Sequence, residues 1–148
     1  MLIRPFAHGE LEALVRLWNE TKRHTYTFIE LERNRSVDED RGFFLARILP
    51  RCKVWIAAED DMLRGFLALA GSYVDRLYVK PDAQRRGVGS ALLRKAMVLS
   101  PKGLELHTHQ KNEKACAFYA KHGFTVARYG VSPPPESEPD VELHWRRR

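Results

Sequence analysis

The chain has 148 residues, 44% hydrophobic and 30% charged, with a net charge of +6, a size that supports one core burying roughly 70% of the unfolded surface. No apolar run approaches the roughly 20 residues of a membrane helix, and Met1 to Glu12 carries no cationic stretch followed by a long apolar one, so neither a membrane span nor a secretory leader is expected. Cys52 and Cys116 have neither metal nor disulfide spacing, and the expectation is one domain over residues 1–148, cytoplasmic, with both thiols reduced.

Leu2, Ile3 and Phe6 make a short apolar start that reads as a strand. Leu11, Leu14, Val15 and Trp18 follow at i, i+3, i+4 and i+7, one face of an amphipathic helix. His24 to Leu31 is aromatic and fits neither the helical nor the strand period. Ser36 and Glu39 form a capping-box pattern, and Phe43, Phe44, Arg47 and Ile48 continue the helical spacing, so a second helix begins at Ser36. Val54 to Ala58 and Leu63 to Ala70 read as two strands of a hairpin around the polar turn Glu59-Asp60-Asp61. Gly71 breaks the pattern, Tyr73 to Val79 is a third strand rich in β-branched and aromatic residues, and Pro81 ends it.

Gln84 to Gly89 is a loop and Ser90 to Leu99 a helix, stopped by Pro101 and Gly103. Leu104 to His109 is a strand, Asn112 to His122 a helix with Gly123 at the C-terminal cap position, and Phe124 to Tyr129 a strand. Ser132 to Pro139 holds four prolines and reads as an irregular loop before a last strand, Val141 to Trp145. The order β-α-α-β-β-β-α-β-α-β-β predicts an α/β protein of the α+β type, a mixed sheet with helices on it.

The charge is unevenly placed. Residues 1–74 carry 11 basic and 11 acidic side chains, and residues 75–148 carry 14 and 8. A basic half suits a polyanionic partner, whether nucleic acid, an acidic surface or a phosphate-rich cofactor, or serves simply as a solubility surface.

Within that half, Leu77-Tyr78-Val79-Lys80-Pro81-Asp82-Ala83-Gln84-Arg85-Arg86-Gly87-Val88-Gly89-Ser90 runs strand, basic glycine loop, helix. The first N–H groups of a helix lack internal partners and carry the positive end of its dipole, so this arrangement traps anions. Gly87 and Gly89 would let a phosphate approach the main chain, and Arg85 and Arg86 add charged donors. A Walker loop is excluded because Ser90-Ala91 follows Gly89, and a dinucleotide fingerprint lacks its third glycine, which is Leu92 here. The remaining pattern, Gln/Arg-x-x-Gly-x-Gly/Ala, is matched by Gln84 to Gly89.

With that loop the sequence resembles the GNAT superfamily of N-acetyltransferases, in particular small bacterial members. A second stretch, Asn112-x-x-Ala115-x-x-Phe118-Tyr119 followed by Gly123-Phe124, is similar to another motif of the family, in the right order. The resemblance is strongest over residues 54–129. It implies a mixed, mostly antiparallel central sheet of six or seven strands flanked by about four helices. It implies acetyl-coenzyme A as co-substrate, with the main chain of Leu77, Tyr78 and Val79 pairing with pantetheine like an added strand. The loop Gln84, Arg85, Arg86, Gly87, Val88, Gly89 and Ser90 would take the pyrophosphate, with Arg85 or Arg86 reaching the ribose phosphate. Asn112 would bond the pantetheine arm or cap its own helix.

The resemblance gives Tyr119 the role of protonating the departing thiolate; the alternative is a core aromatic beside Phe118. For the amine's proton the candidates are Asp75 and His109. By strand parity Asp75 shares a side with Tyr73 and Leu77, opposite Tyr78, and His107 shares a face with His109. Asp75 reads equally as a salt-bridge partner for a nearby arginine, and the two histidines as solvent-facing positions.

The acceptor site is expected opposite the cofactor, bordered by His24, Tyr26, Phe28 and the loop Ser132–Pro139, with Glu30, Glu32, Glu136, Glu138 and Asp140 favouring a cationic acceptor. The resulting expectation is an N-acetyltransferase acting on a primary amine of a small molecule. The alternatives are a protein or peptide N-acetyltransferase and a non-catalytic acyl-coenzyme A-binding module. No metal site is expected, since His107 and His109 have no further ligand pattern. Neither a membrane nor a nucleic-acid partner is expected, the basic residues having no interleaved aromatics, and the oligomeric state, a homodimer included, stays open.

Overall fold

Seven strands form one sheet in the computed structural model, which describes residues 1–148. They are β1 (Leu2–Pro5), β2 (Lys53–Glu59), β3 (Met62–Ala70), β4 (Tyr73–Val79), β5 (Gly103–His109), β6 (Thr125–Val131) and β7 (Pro139–Arg146). The helices are α1 (Leu11–Thr25), α2 (Glu30–Arg33), α3 (Val37–Phe43), α4 (Val88–Leu99) and α5 (Glu113–Lys121). The strand order is β1-β2-β3-β4-β5-β7-β6, antiparallel throughout except for β4 and β5. This is the mixed, mostly antiparallel sheet expected, with α2 as a fifth helix. None of the helices is long and apolar enough to cross a membrane.

Local chemistry explains most of these elements. Asp60 and Asp61 both adopt positive φ, 53° and 59°, the geometry of a two-residue turn whose twist matches a hairpin, and β2 and β3 pair on either side of it. The Ser36 side chain accepts from the Glu39 N–H at 3.0 Å, and Glu39 Oε1 accepts from the Ser36 N–H at 3.0 Å, the reciprocal cap that starts α3. α3 runs on into a π-helical turn, Phe44–Ile48, that buries Phe44 and Ile48. Gly123 takes φ +91° just beyond α5, where a residue with a Cβ would be strained.

Each face of the sheet carries its own core. Leu14, Val15, Trp18, Phe44 and Ile48 pack on Ile56 and Phe66 on one face. Leu92, Leu93, Tyr119 and Phe124 pack on Leu67, Leu104 and Leu106 on the other. Neighbours Phe66 and Leu67 thus serve opposite cores, as strand alternation requires.

Two features place the cleft. β4 and β5 share a single register pair, Tyr73 with Glu105, and the Glu105 N–H donates to Ser72 O at 3.0 Å. Beyond that point they part, while on its other edge β5 pairs along its whole length with β7, from Gly103↔Arg146 to His109↔Asp140. Second, a bulge interrupts the β3–β4 ladder: Leu69 faces Val74 and Ala68 faces Arg76, leaving Asp75 as the extra residue. The bulge overturns the parity reading. Val74 joins Leu77 and Val79 against the α4–α5 core, while Arg76 keeps the face that alternation gives it, that of Tyr78, which packs against the other core.

His24 to Leu31, aperiodic in sequence, contains the end of α1 and the start of the four-residue α2. α2 is tied down by charge: the buried Lys22 ammonium lies 3.0 Å from Glu32 and 2.7 Å from Asp40.

Candidate active site

The gap between β4 and β5 widens into a cleft of about 1620 Å³. Its cofactor-side wall is main chain. The Lys80 N–H donates to Arg64 O at 2.8 Å, so this pair is a hydrogen-bonded one in the antiparallel ladder. Alternation then makes Leu77 and Val79 non-hydrogen-bonded positions toward β3, with their N–H and C=O groups turned to the empty β5 side. Gln84 Nε2 donates to Val79 O at 2.9 Å and staples the following loop to the strand end.

That loop leads into α4 through two left-handed residues, Arg85 with φ +65° and Gly87, the N-cap, with φ +84°. The first turn of α4 contains no acidic residue, so its dipole is uncompensated. Arg85, Gly87, Gly89 and Ser90 line the cleft. The loop's other two residues do not. Arg86 Nη2 turns away to Glu59 Oε1 at 2.7 Å, and Val88 is buried in the α4–α5 core.

Gly89 has a packing reason that the sequence reading did not give it. A Cβ there would lie 3.3 Å from the Phe118 ring and 3.5 Å from Val79 Cγ2, so its absence lets α4 approach α5 and β4 closely. The same helices are bridged by His122, whose Nδ1 donates to Phe118 O at 2.8 Å and whose Nε2 accepts from the Ser90 hydroxyl at 3.0 Å. Asn112 lines the cleft and caps α5, its Oδ1 accepting from the Ala115 N–H at 3.2 Å.

Tyr119 projects from α5 to the cleft wall. Its ring packs edge-on against Phe118 and Phe124 at 5.2 and 5.3 Å, so it belongs to the core as well as to the site. Burial pushes its phenol well above the ordinary value of 10.0, with the nearby Tyr26 phenol adding to the effect. The group is therefore a proton donor, not a phenolate, at any pH where the protein works.

The acceptor side carries most of the charge. Arg76 stands over the Trp18 and Phe43 rings at 5.9 and 5.7 Å and lines the cleft beside Tyr78. The sequence reading did not single it out, although alternation already puts it on the face of Tyr78. Burial likewise raises the phenols of Tyr26 and Tyr78, which lie beside one another, with Asn112 next to Tyr26. His24, Tyr26 and Phe28 line the cleft, as do Ser132, Pro133 and Glu136 of the proline-rich loop. Glu32 and Asp140 also line it, Glu30 borders a smaller adjoining groove, and Glu138 pairs with Lys111 at 3.3 Å.

The two candidate proton acceptors, Asp75 and His109, and the neighbouring His107 have different surroundings. Asp75 is held by two guanidinium groups, Arg51 and Arg76, each at 3.3 Å, which is the salt-bridge role. His107 has both nitrogens engaged: Nδ1 with the Tyr73 hydroxyl at 2.9 Å and Nε2 with Glu142 at 3.3 Å. His109 has Nε2 3.5 Å from Glu136 Oε1, while its buried Nδ1 has no hydrogen-bond partner. No three His, Cys, Asp or Glu side chains converge to hold a metal ion.

Residues 50–126 match a family model described as an acetyltransferase (GNAT) domain. The chain is 33% identical over 125 residues to the peptidyl-lysine N-acetyltransferase YjaB of Escherichia coli (strain K12), covering 84% of this chain and 82% of that one. It is 32% identical over 127 residues to the peptidyl-lysine N-acetyltransferase YiaC of the same organism, covering 84% of each. The solution structure of apo-form YjaB from Escherichia coli superposes with a TM-score of 0.82 at 30% identity, over 99% of this chain and 98% of that one.

Proposed function

This chain belongs to the GNAT acetyltransferase family and is an acetyl-coenzyme A-dependent N-acetyltransferase, and we propose that its acceptor is the side-chain amine of a lysine in a protein or peptide. The observation that carries this choice is the similarity, across 84% of the chain, to two relatives named peptidyl-lysine N-acetyltransferases. It favours the protein acceptor over the small-molecule amine that the sequence reading placed first.

Acetyl-coenzyme A supplies an electrophilic thioester carbonyl and a thiolate leaving group. Leu77 and Val79 hold its pantetheine arm through the main-chain groups that β5 leaves free. The first N–H groups of α4 and the Arg85 guanidinium take the pyrophosphate. Arg86 supports the loop from outside through Glu59.

Tyr119 protonates the sulfur as the C–S bond breaks, a role supported by its place on the cleft wall. As the C–N bond forms, the attacking nitrogen must shed a proton. His109 receives it: its Nδ1 has no hydrogen-bond partner, whereas the Asp75 carboxylate is held by two guanidinium groups and both nitrogens of His107 are engaged. The cycle closes when the proton on His109 is returned, through solvent, to the Tyr119 phenolate.

The test is thiol release from acetyl-coenzyme A with N-terminally blocked lysine peptides, set against free lysine and simple alkyl polyamines. The expected result is a kcat/KM for peptides at least about tenfold higher, or ~1.4 kcal/mol of transition-state binding. A preference for the free amines would overturn the protein acceptor. Tyr119→Phe should lower kcat by roughly a hundredfold or more while leaving the KM for acetyl-coenzyme A in place. An unchanged kcat would remove Tyr119 from the chemistry.

A further inference from the structure

We propose that Glu136, on the proline-rich loop, is a positioning residue that orients His109 so that Nδ1 presents its lone pair to the acceptor's nitrogen. The proposal rests on the reading of His109 as proton acceptor given above.

Three segments distant in sequence meet at this imidazole. His109 is the last residue of β5, and Leu104 and Leu106 on the same strand serve the α4–α5 core. Alternation therefore sends His107 and His109 to the acceptor face. There the ring is clamped by the edges of Tyr26 at 5.2 Å and Phe28 at 6.0 Å, with interplanar angles of 82° and 81°. Both aromatics come from the connection between α1 and α2. From the other side the loop between β6 and β7 brings Glu136 Oε1 to 3.5 Å from Nε2.

The loop is built to present that carboxylate at a fixed place. Its two ends are tied: the Ser132 N–H donates to Glu138 O at 2.8 Å, and the Glu138 N–H donates to Ser132 Oγ at 2.9 Å. Glu136 projects between these ties and is about three-quarters buried, with 24% of its side chain exposed.

An ionised carboxylate only accepts hydrogen bonds, so the imidazole nitrogen that faces it is the one bearing the proton. A neutral imidazole has a single N–H. With Nε2 turned to Glu136, Nδ1 is the basic nitrogen, and Nδ1 is the atom that is buried without a donor. A buried acceptor left unmatched is costly, which makes it the natural place for an incoming ammonium or amine proton. The aromatic clamp keeps bulk water off that lone pair. The 3.5 Å separation is long for a hydrogen bond, and catalytic contacts of this kind tighten once substrate fills a site. The positive charge that His109 gains with the proton then lies beside Glu136.

The experiment is a double-mutant cycle in the full-length protein, assayed by thiol release with acetyl-coenzyme A and a blocked lysine peptide. Glu136→Ala should lower kcat about tenfold, leave the KM for acetyl-coenzyme A unchanged, and add nothing further in a His109→Gln background, as coupled neighbours do. Thermal unfolding of each variant monitors the fold. A loss that recurs in full on top of His109→Gln, or one confined to the acceptor's KM, would place Glu136 in acceptor binding and overturn its positioning role. If Glu136→Ala is silent while His109→Gln lowers kcat, the positioning role falls and His109 stands. If His109→Gln is itself silent, the base assignment falls and the proposal with it.

Discussion

Tyr119 shows how one side chain serves both the core and the site. Its ring is fixed by Phe118 and Phe124, and that burial is what holds its proton. Tyr26, Tyr73 and Tyr78 share the condition, each raised chiefly by burial from an ordinary value of 10.0. Unfolding releases the phenols to ordinary behaviour, so above about pH 10 the native state binds more protons than the unfolded one. Stability contributed by these groups is complete below that pH and is lost as pH rises toward the raised native values. Urea midpoints should be level from about pH 8 to about pH 9.5 and then fall, less steeply in Tyr119→Phe than in the parent chain. Equal slopes in the two proteins would show that Tyr119 carries no such linkage.

At this scale the sequence was informative where a role is local. Gln84, Gly87 and Asn112 act within a few residues of themselves, on Val79 O, on the α4 N-terminus and on the Ala115 N–H. It was uninformative where the partner is remote. Arg85 and Arg86 are adjacent and chemically alike, yet Arg85 faces the cleft and Arg86 faces Glu59 across 27 positions of chain.

Among the elements, the bulge in β4 has the largest consequence for the site. One extra residue, Asp75, brings Val74 to the face of Leu77 and Val79 and is itself held by Arg51 and Arg76. Period-two patterning by itself puts Val74 opposite Leu77 and Val79, and only the inserted residue brings the three to one face. α2 was missed for a related reason, since four residues are too few to establish a helical period.

What holds the α1–α3 layer is a buried charge cluster. Asp40 has no exposed surface and accepts from Lys22 Nζ at 2.7 Å, Arg35 Nε at 2.9 Å and Asn19 Nδ2 at 3.0 Å. Lys22 is equally enclosed, 3% exposed, with the Trp18 ring 3.9 Å beneath its ammonium. Asp40→Ala should therefore cost about 3 kcal/mol, because it strands a buried cation with Glu32 as its remaining carboxylate. Urea unfolding measures it, and a loss under about 1 kcal/mol would mean that Lys22 finds water when Asp40 is gone.

For the molecule as a whole, the two cores on opposite sheet faces leave the parted strands β4 and β5 as the one place where main chain faces a cleft. A ligand that bridges Leu77, Val79 and the α4 N-terminus binds only the folded chain and so stabilises it. At about 100 times its dissociation constant, acetyl-coenzyme A should add roughly 2.7 kcal/mol, seen as a raised Tm. ATP and NAD serve as polyanion controls. Equal shifts with all three would reduce the site to its charge, and the basic half of the chain would be explanation enough.

The sequence by itself determined the glycine loop ahead of α4, the hairpin, the helix caps and the family resemblance. These depend on residues close together in the chain, where backbone conformation and capping chemistry are local. Only the tertiary structure decided the rest: the parting of β4 from β5, the bulge at Asp75 that brings Val74 to the face of Leu77, and the meeting of His109, Tyr26, Phe28 and Glu136. All three are matters of long-range pairing, and the last depends on the insertion of β7 between β5 and β6. That insertion carries the proline-rich loop to the His109 end of β5. No local pattern encodes it, because strand propensity states that a segment will pair and leaves open with which strand.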